Sequence, residues 1–200
     1  MERTVVACLG DSITAGSPLW DPDPDVRTRI GAALDERSRW GWWAERRDPT
    51  LDLRNYGVYG ERTDQIAARL ETAVAGARVL IVQGGINDVV QRRPVEEAAR
   101  DFARMVERGQ QLGLAVALVD VLPWNNGDGR AASDIKRLNV LLVEIADRLG
   151  VPLLPFHDTL VDAEQPQRMR PECTDDGDHP SVEGHRLLGE RAFRLPADLS

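Results

Sequence analysis

Apolar residues along this chain recur with two spacings, and segments of the two kinds alternate. Short runs rich in β-branched or small apolar residues, typical of strands, cover residues 5–9, 51–56, 78–83, 115–121 and 151–156. Between them, apolar residues recur every three or four positions, as in an amphipathic helix. Strands that alternate with helices predict right-handed βαβ units, and therefore a parallel sheet covered by helices on both faces.

The helical spacing predicts five helices, over residues 26–47, 63–75, 94–112, 135–149 and 181–193. The residues predicted to face inward from the first and third of these are Ile30, Ala33, Leu34, Trp40, Ala98, Phe102, Met105, Val106 and Leu112. Thr63 or Asp64 is expected to cap the second helix. Because residues 151–156 contain two prolines, this strand is expected at the edge of the sheet.

The chain is predicted to form one α/β domain over residues 1–200, since no repeat or linker interrupts the pattern. A net charge of −8 disfavours nucleic acid and anionic membranes as partners. No apolar run approaches the ~20 residues that span a bilayer, so membrane insertion is not expected. The pattern does not indicate the oligomeric state.

The cysteines and the start of the chain favour a cytoplasmic protein. Residues 1–4 show no signal-peptide pattern. Cys8 lies in the first predicted strand and Cys173 in a late loop, a distribution that suggests free thiols. Histidine and cysteine do not cluster with zinc-ligand spacing, so no metal site is predicted.

A possible nucleophile follows the first predicted strand, where the sequence reads Gly10-Asp11-Ser12. Ligands of open α/β sheets bind at the carboxyl ends of the strands. Ser12 is therefore in a suitable place to act as a nucleophile, if the chain also supplies a base and donors for an oxyanion. The alternative is structural: Ser12 or Thr14 caps the helix that follows.

Only three histidines could supply the base. His185 falls inside the last predicted helix, where we expect it to be partly exposed. His157 follows the last strand and has only the adjacent Asp158 as an evident partner. His179 has an aspartate three residues upstream, Asp176, which can accept a hydrogen bond from Nδ1 and leave Nε2 facing outward as a base. The alternative for this segment is a solvated acidic loop or a helix cap.

Donors for an oxyanion could come from the turns after the second and third strands. Gly60 lies in one of them, and the absence of a Cβ lets its backbone N–H approach a ligand. Asn87 lies in the other, and its side-chain amide can donate a hydrogen bond. Glycine and asparagine are also common in turns that bind nothing, so each residue has a structural alternative.

Taken together, four segments resemble the ordered blocks of the SGNH (GDSL-type) hydrolase family, over about residues 4–190. They are Gly10-Asp11-Ser12, Gly60, Gly85-Ile86-Asn87-Asp88 and Asp176-Gly177-Asp178-His179-Pro180. The resemblance implies a three-layer α/β/α fold with a five-stranded parallel sheet in flavodoxin-like order. The chain departs from the family name at Ile13, where the family has leucine, and in its Pro-Asp loop over residues 20–25.

The resemblance also implies a role for each site residue. Ser12 would be the nucleophile, His179 the base and Asp176 the acid that orients it. The oxyanion hole would comprise the backbone N–H groups of Ser12 and Gly60 and the side chain of Asn87. We therefore expect a serine esterase that cleaves carboxylic esters or thioesters of small or lipid-like molecules through an acyl-enzyme, with no metal or organic cofactor.

Two alternatives to this function stay open. One is a carbohydrate O-deacetylase with the same triad. The other is a non-catalytic flavodoxin-like module that binds an anion at the same strand ends, although the acidic chain carries no phosphate-binding motif. Trp124 and, less strongly, Trp20 are candidate walls of a substrate pocket, with ordinary packing as the alternative for both.

Overall fold

The computed structural model describes residues 3–196 and contains a five-stranded sheet. Its strands are β1 (Thr4–Gly10), β2 (Leu51–Gly57), β3 (Val79–Val82), β4 (Ala115–Val119) and β5 (Leu153–Leu154). All neighbouring strands are parallel, and their order is β2-β1-β3-β4-β5. The predicted parallel sheet in flavodoxin-like order is confirmed, as is the placement of the proline-containing strand at an edge.

Ten α-helices surround this sheet in the described part of the chain. They are α1 (Ser12–Ala15), α2 (Pro24–Ile30), α3 (Trp40–Arg47), α4 (Thr63–Ala68), α5 (Leu70–Ala73), α6 (Ile86–Val90), α7 (Val95–Gln111), α8 (Gly129–Leu149), α9 (Phe156–Leu160) and α10 (Val182–Leu187). Helices α4, α7 and α8 pack together on one side of the sheet, and α3, α9 and α10 on the other. The result is the predicted three-layer α/β/α architecture.

The hydrophobic core lies on both faces of the sheet. Every residue of β3 is inaccessible to solvent, as expected for a central parallel strand covered by helices. On the side of α3, Trp40 packs edge-on against Phe156 and tilted against Phe193, with ring centroids 5.5 and 5.6 Å away. Trp40 is therefore a core residue, and its role is packing.

The single long helix predicted over residues 26–47 is wrong. The chain leaves α2 at Gly31, whose φ of +60° is incompatible with a continuing α-helix. Two 3₁₀ turns then lead to α3, and the side chain of Asp35 caps the second of them. The predicted apolar face is lost as a result: Trp40 is buried, whereas Leu34 is largely exposed.

Three smaller expectations about helices also fail. The predicted second helix divides at Arg69 into α4 and α5, and Thr63 is held by Asp88 of α6 instead of capping its own helix. Leu112 follows the end of α7 and is exposed. By contrast, the last predicted helix is confirmed: the chain is helical over Val182–Ala192, with Leu188–Ala192 in a π-helix.

Both cysteines are free and buried. Burial raises the pKa of the Cys8 thiol and, to a lesser degree, that of Cys173. Both shifts disfavour the thiolate, which is the reactive form of cysteine. Within residues 3–196 no helix has the length and apolar character needed to cross a bilayer.

His185 is fully buried in α10, which corrects the expectation that it is partly exposed. Neither ring nitrogen has a hydrogen-bond partner within the described residues. Burial lowers the pKa of this imidazole from 6.5 to about 3, with a smaller contribution from His179. His185 is thus a neutral core residue in the folded protein at neutral pH.

We expect His185 to make the protein acid-sensitive. Below pH 6.5 the unfolded chain protonates this residue while the folded protein does not until about pH 3, so stability is lost as the pH falls through that window. From pH 6.5 to 4.5 the unfolding free energy of the wild type should fall by roughly 2–3 kcal/mol more than that of His185→Leu, measured by urea denaturation. Parallel pH profiles for the two proteins would contradict this assignment.

Candidate active site

The turn after β1 is built around Asp11 and Gln83. The carboxylate of Asp11 accepts the Ile13 N–H at 2.9 Å and so caps α1. Gln83, directly after β3, accepts hydrogen bonds from the Thr14 hydroxyl at 2.8 Å and from the Asp11 N–H at 3.2 Å. The capping alternative for Ser12 and Thr14 is therefore wrong, because Asp11 performs that role and leaves the Ser12 hydroxyl available.

Ser12, His179 and Asp176 lie in one hydrogen-bonded line. The Oγ of Ser12 is 3.2 Å from Nε2 of His179, and Nδ1 of His179 is 2.8 Å from Oδ2 of Asp176. Ser12 is 5% exposed and the His179 side chain 14%, so the contact between them is largely shielded from solvent. This line contains a hydroxyl, an imidazole and an orienting carboxylate at the distances that nucleophilic catalysis requires.

The loop that carries His179 and Asp176 is held by its own backbone. Oδ1 of Asp176 accepts the N–H groups of Asp178 and His179 at 2.8 and 2.7 Å. Burial raises the pKa of Asp176, but hydrogen bonds from the imidazole and from these two N–H groups outweigh it and hold the pKa below its usual value. Asp176 is therefore ionised at neutral pH, and its carboxylate can accept a hydrogen bond from Nδ1 of His179.

Asp11 is a second carboxyl group beside Ser12, and its environment differs from that of Asp176. It is fully buried, and its Oδ2 has no hydrogen-bond partner within the described residues. Burial raises the pKa of Asp11 to about 6, although the hydrogen bond from the Ile13 N–H acts in the opposite direction. The residue supports the turn by accepting a backbone N–H.

Gly60 occupies a tight turn over residues 58–61 after β2. Its φ of +78° is favoured only for glycine and matches the third position of a type II turn. The turn is joined to the Gly10-Asp11-Ser12 segment, because the N–H of Val58 donates to the Gly10 carbonyl at 3.0 Å. It is tied to α6 as well, because Nδ2 of Asn87 donates to the Glu61 carbonyl at 3.0 Å. The structure therefore joins the Gly60 turn to the segments that carry Ser12 and Asn87.

Arg69 holds the same segments together and was not anticipated from the sequence. Its guanidinium pairs with the Glu61 carboxylate at 2.7 Å. It also donates to the carbonyls of Tyr56 at 3.1 Å and Gly10 at 3.3 Å. One side chain thus bridges the end of β1, the end of β2 and the Gly60 turn. An arginine inside a predicted amphipathic helix gives no sequence signal for such a role.

Asp88, next to Asn87, is a buried ion-pair centre. Its carboxylate accepts the N–H and the hydroxyl of Thr63 at 2.9 and 3.0 Å and pairs with Arg93 at 2.6 Å. Arg93 in turn pairs with Asp101 at 2.7 Å. This network fastens the start of α4 to α6 and so fixes Asn87 relative to the Gly60 turn. The sequence marked Asp88 only as part of the resemblance, without a role.

The two tryptophans predicted as pocket walls have different surroundings. Nε1 of Trp124 donates to Asp178, within the His179 loop, at 2.6 Å. Its ring lines a cavity of about 160 Å³ together with Val89 and Val90 of α6. Trp20 instead lies under the guanidinium groups of Arg27 and Arg39, 4.9 and 4.3 Å from the ring centroid. Trp124 therefore adjoins the candidate site, and the structure gives Trp20 a packing role.

His157 does not join the candidate site. Its backbone N–H donates to the buried carboxyl of Asp120, and its Nδ1 lies 3.2 Å from Asp158, the only partner expected for it. Of the three histidines, His179 alone contacts Ser12 in the described structure.

Similar solved structures share this fold at low sequence identity. A protein of Desulfitobacterium hafniense assigned to the lipolytic G-D-S-L family is 21% identical, with a TM-score of 0.77 over 94% of this chain and 97% of that one. A GDSL-like lipase from Bacteroides thetaiotaomicron is 21% identical, with a TM-score of 0.72 over 94% and 84%. A variant of Axe2, an acetyl xylan esterase from Geobacillus stearothermophilus, is 20% identical, with a TM-score of 0.73 over 96% and 93%.

No curated protein matches the chain. The model of the GDSL-like lipase/acylhydrolase family, however, matches residues 8–187. That range includes β1, with its Gly10-Asp11-Ser12 end, and the loop that carries Asp176 and His179. Because the match covers most of the sequence and the fold agrees, this chain belongs to the GDSL-like lipase/acylhydrolase family.

Proposed function

We propose that this protein is a serine esterase that hydrolyses small carboxylic esters or thioesters through an acyl-enzyme intermediate. The observation that carries the proposal is the line from Ser12 Oγ to His179 Nε2 to Asp176 Oδ2, with separations of 3.2 and 2.8 Å. Family membership supports the same reaction class. The proposed mechanism uses only side chains and backbone groups of this chain.

In this mechanism His179 takes the proton of Ser12 as Oγ attacks the carbonyl carbon of the ester. The tetrahedral intermediate then collapses, and the leaving alcohol or thiol takes the proton from Nε2. A water molecule repeats the two steps on the acyl-enzyme, so that Ser12 recovers its proton and the carboxylic acid leaves. The ionised Asp176 keeps Nδ1 protonated and stabilises the imidazolium in both halves of the reaction.

The proposed oxyanion hole comprises the backbone N–H groups of Ser12 and Gly60 and Nδ2 of Asn87. The contacts of Asn87 with Glu61 and of Val58 with Gly10 support this assignment, because they link the three segments that would supply the donors. One hydrogen of the Asn87 amide is used by the Glu61 carbonyl, which leaves the second for an oxyanion.

We expect Asn87→Ala to lower kcat by about 10²–10³ on a p-nitrophenyl ester, as the loss of one oxyanion donor typically does. Asn87→Asp should lose at least as much, because it keeps the shape of the side chain but cannot donate. Thermal unfolding of both variants separates this effect from the lost contact with Glu61. A fall in kcat of less than about tenfold in folded protein would remove Asn87 from the proposed hole.

A carbohydrate O-deacetylase is the second candidate function. It is favoured by the cavity beside Trp124, whose lining also includes the polar side chains Asn126, Asp128 and Arg130. An aromatic face among hydrogen-bonding groups suits a sugar, and one structural neighbour is an acetyl xylan esterase. Activity on p-nitrophenyl esters of increasing acyl length, measured beside an acetylated sugar, distinguishes the two candidates.

The non-catalytic alternative makes an opposite prediction for Ser12. A fluorophosphonate probe reacts with an activated serine and should modify Ser12 stoichiometrically if the protein is a serine esterase. A module that only binds anions would leave the serine unlabelled. Intact-protein mass spectrometry gives the answer without knowledge of the natural substrate.

A further inference from the structure

Tyr59 is the most exposed large hydrophobic side chain in the described structure, at 68%. It directly precedes Gly60, and its ring centroid lies 6.3 Å from that of His179, with the two rings tilted by 33°. This separation is within the range of aromatic pairs. The exposed ring therefore stands beside the imidazole that contacts Ser12.

The turn that carries Tyr59 is held firmly, although the ring is exposed. Val58 donates its N–H to Gly10, and the Gly60 carbonyl accepts a hydrogen bond from Gln91 Nε2 at 3.2 Å. Gln91 is itself bound by Arg62 at 2.8 Å. The backbone of the turn is thus bound on both sides, so the fold presents Tyr59 to solvent in a defined position. An aromatic side chain in such a place is available for a ligand.

The position of Tyr59 indicates which part of an ester would lie next to its ring. In the proposed mechanism His179 Nε2 delivers its proton to the leaving oxygen, so the leaving group must lie next to the imidazole. The ring beside that imidazole consequently faces the alcohol part of the ester more directly than the acyl part. The neighbouring exposed side chain, Val58, offers no hydrogen bonds.

We propose that Tyr59 forms an aromatic platform for the leaving group and gives the enzyme a preference for esters of aromatic alcohols. This proposal rests on the proposed esterase function and deepens it. The platform acts through its ring and not through the phenol hydroxyl. It contributes to binding and acylation only, since the alcohol has left before water attacks the acyl-enzyme.

The test compares two acetate esters that form the same acetyl-enzyme, 2-naphthyl acetate and methyl acetate. For Tyr59→Ala we expect kcat/KM on 2-naphthyl acetate to fall about tenfold, mainly through a higher KM. On methyl acetate the same variant should stay within about twofold of the wild type. Tyr59→Phe should retain wild-type kinetics on both esters, because it keeps the ring.

Leu112→Ala provides the matched control, because Leu112 is an exposed apolar residue at the end of α7. Leu112→Ala should leave kcat/KM unchanged on both esters. If kcat/KM of Tyr59→Ala fell equally on the two esters, or fell on neither, the platform proposal would be overturned and the esterase proposal would stand. A wild-type protein that hydrolyses neither ester and resists the fluorophosphonate would overturn the esterase proposal itself, and the platform with it.

Discussion

Replacement of Ser12 by alanine is expected to reduce ester hydrolysis to near the uncatalysed background. The variant loses the atom that is proposed to form the acyl-enzyme, and removal of the nucleophile from a comparable triad costs about 10⁶ in kcat. His179 and the proposed oxyanion donors remain, so a small residual rate through direct attack by water is expected. The measurement is the initial rate of hydrolysis of a short p-nitrophenyl ester by purified protein.

Ser133→Ala is the matched control for this prediction. Ser133 lies on the exposed surface of α8, where its hydroxyl donates to the Gly129 carbonyl at 2.9 Å. This variant should keep full activity and full labelling by a fluorophosphonate, whereas Ser12→Ala should lose both. Retention of esterase activity by folded Ser12→Ala protein would contradict the proposed mechanism.

The second large effect is expected for Asp176→Asn, up to about 10⁴ in kcat, as found for the equivalent change in a related triad. In the proposed mechanism the carboxylate accepts a hydrogen bond from Nδ1 of His179 and so keeps Nε2 free to accept the proton of Ser12. An asparagine amide in the same place favours the opposite tautomer, with the proton on Nε2, where it blocks the base. The variant also lacks the negative charge that stabilises the imidazolium.

A variant of the neighbouring aspartate, Asp175, distinguishes the effect of the orienting hydrogen bond from the effect of lost negative charge. Asp175→Asn changes the net charge by the same amount, and Asp175 is an exposed residue next in sequence to Asp176. We expect this variant to stay within about threefold of the wild type, since a screened surface charge contributes little. If both variants lost the same activity, the orienting hydrogen bond would not be the cause.

Local sequence pattern was sufficient to predict the strands and most of the core. The apolar run of β3 and the alternation of β2 were recognisable because the spacing of apolar residues within a strand indicates which of its faces are buried. The long helix over residues 26–47 failed for a related reason. Gly31 adopts a positive φ there, and residues on each side keep a helical spacing that conceals the break.

Some residues of the candidate site could likewise be predicted from local sequence pattern, and others could not. Ser12, Gly60 and Asn87 follow strands and could be picked out by position, and His179 by its spacing from Asp176. Their roles in catalysis stay predictions until the variants are measured. Arg69, Asp88 and Gln83 connect the segments of the site, and the sequence gave no signal of that role, because their partners are distant along the chain.

The sequence by itself thus determined the succession of the strands and of the longest helices, the parallel sheet and the chemical groups available at the strand ends. Only the tertiary structure decided that Ser12 and His179, 167 residues apart, lie 3.2 Å from each other. It also decided that His185 is buried and that Tyr59 stands beside the imidazole. The physical reason is that periodicity reports the burial of one element, whereas contacts between turns depend on strand order and register.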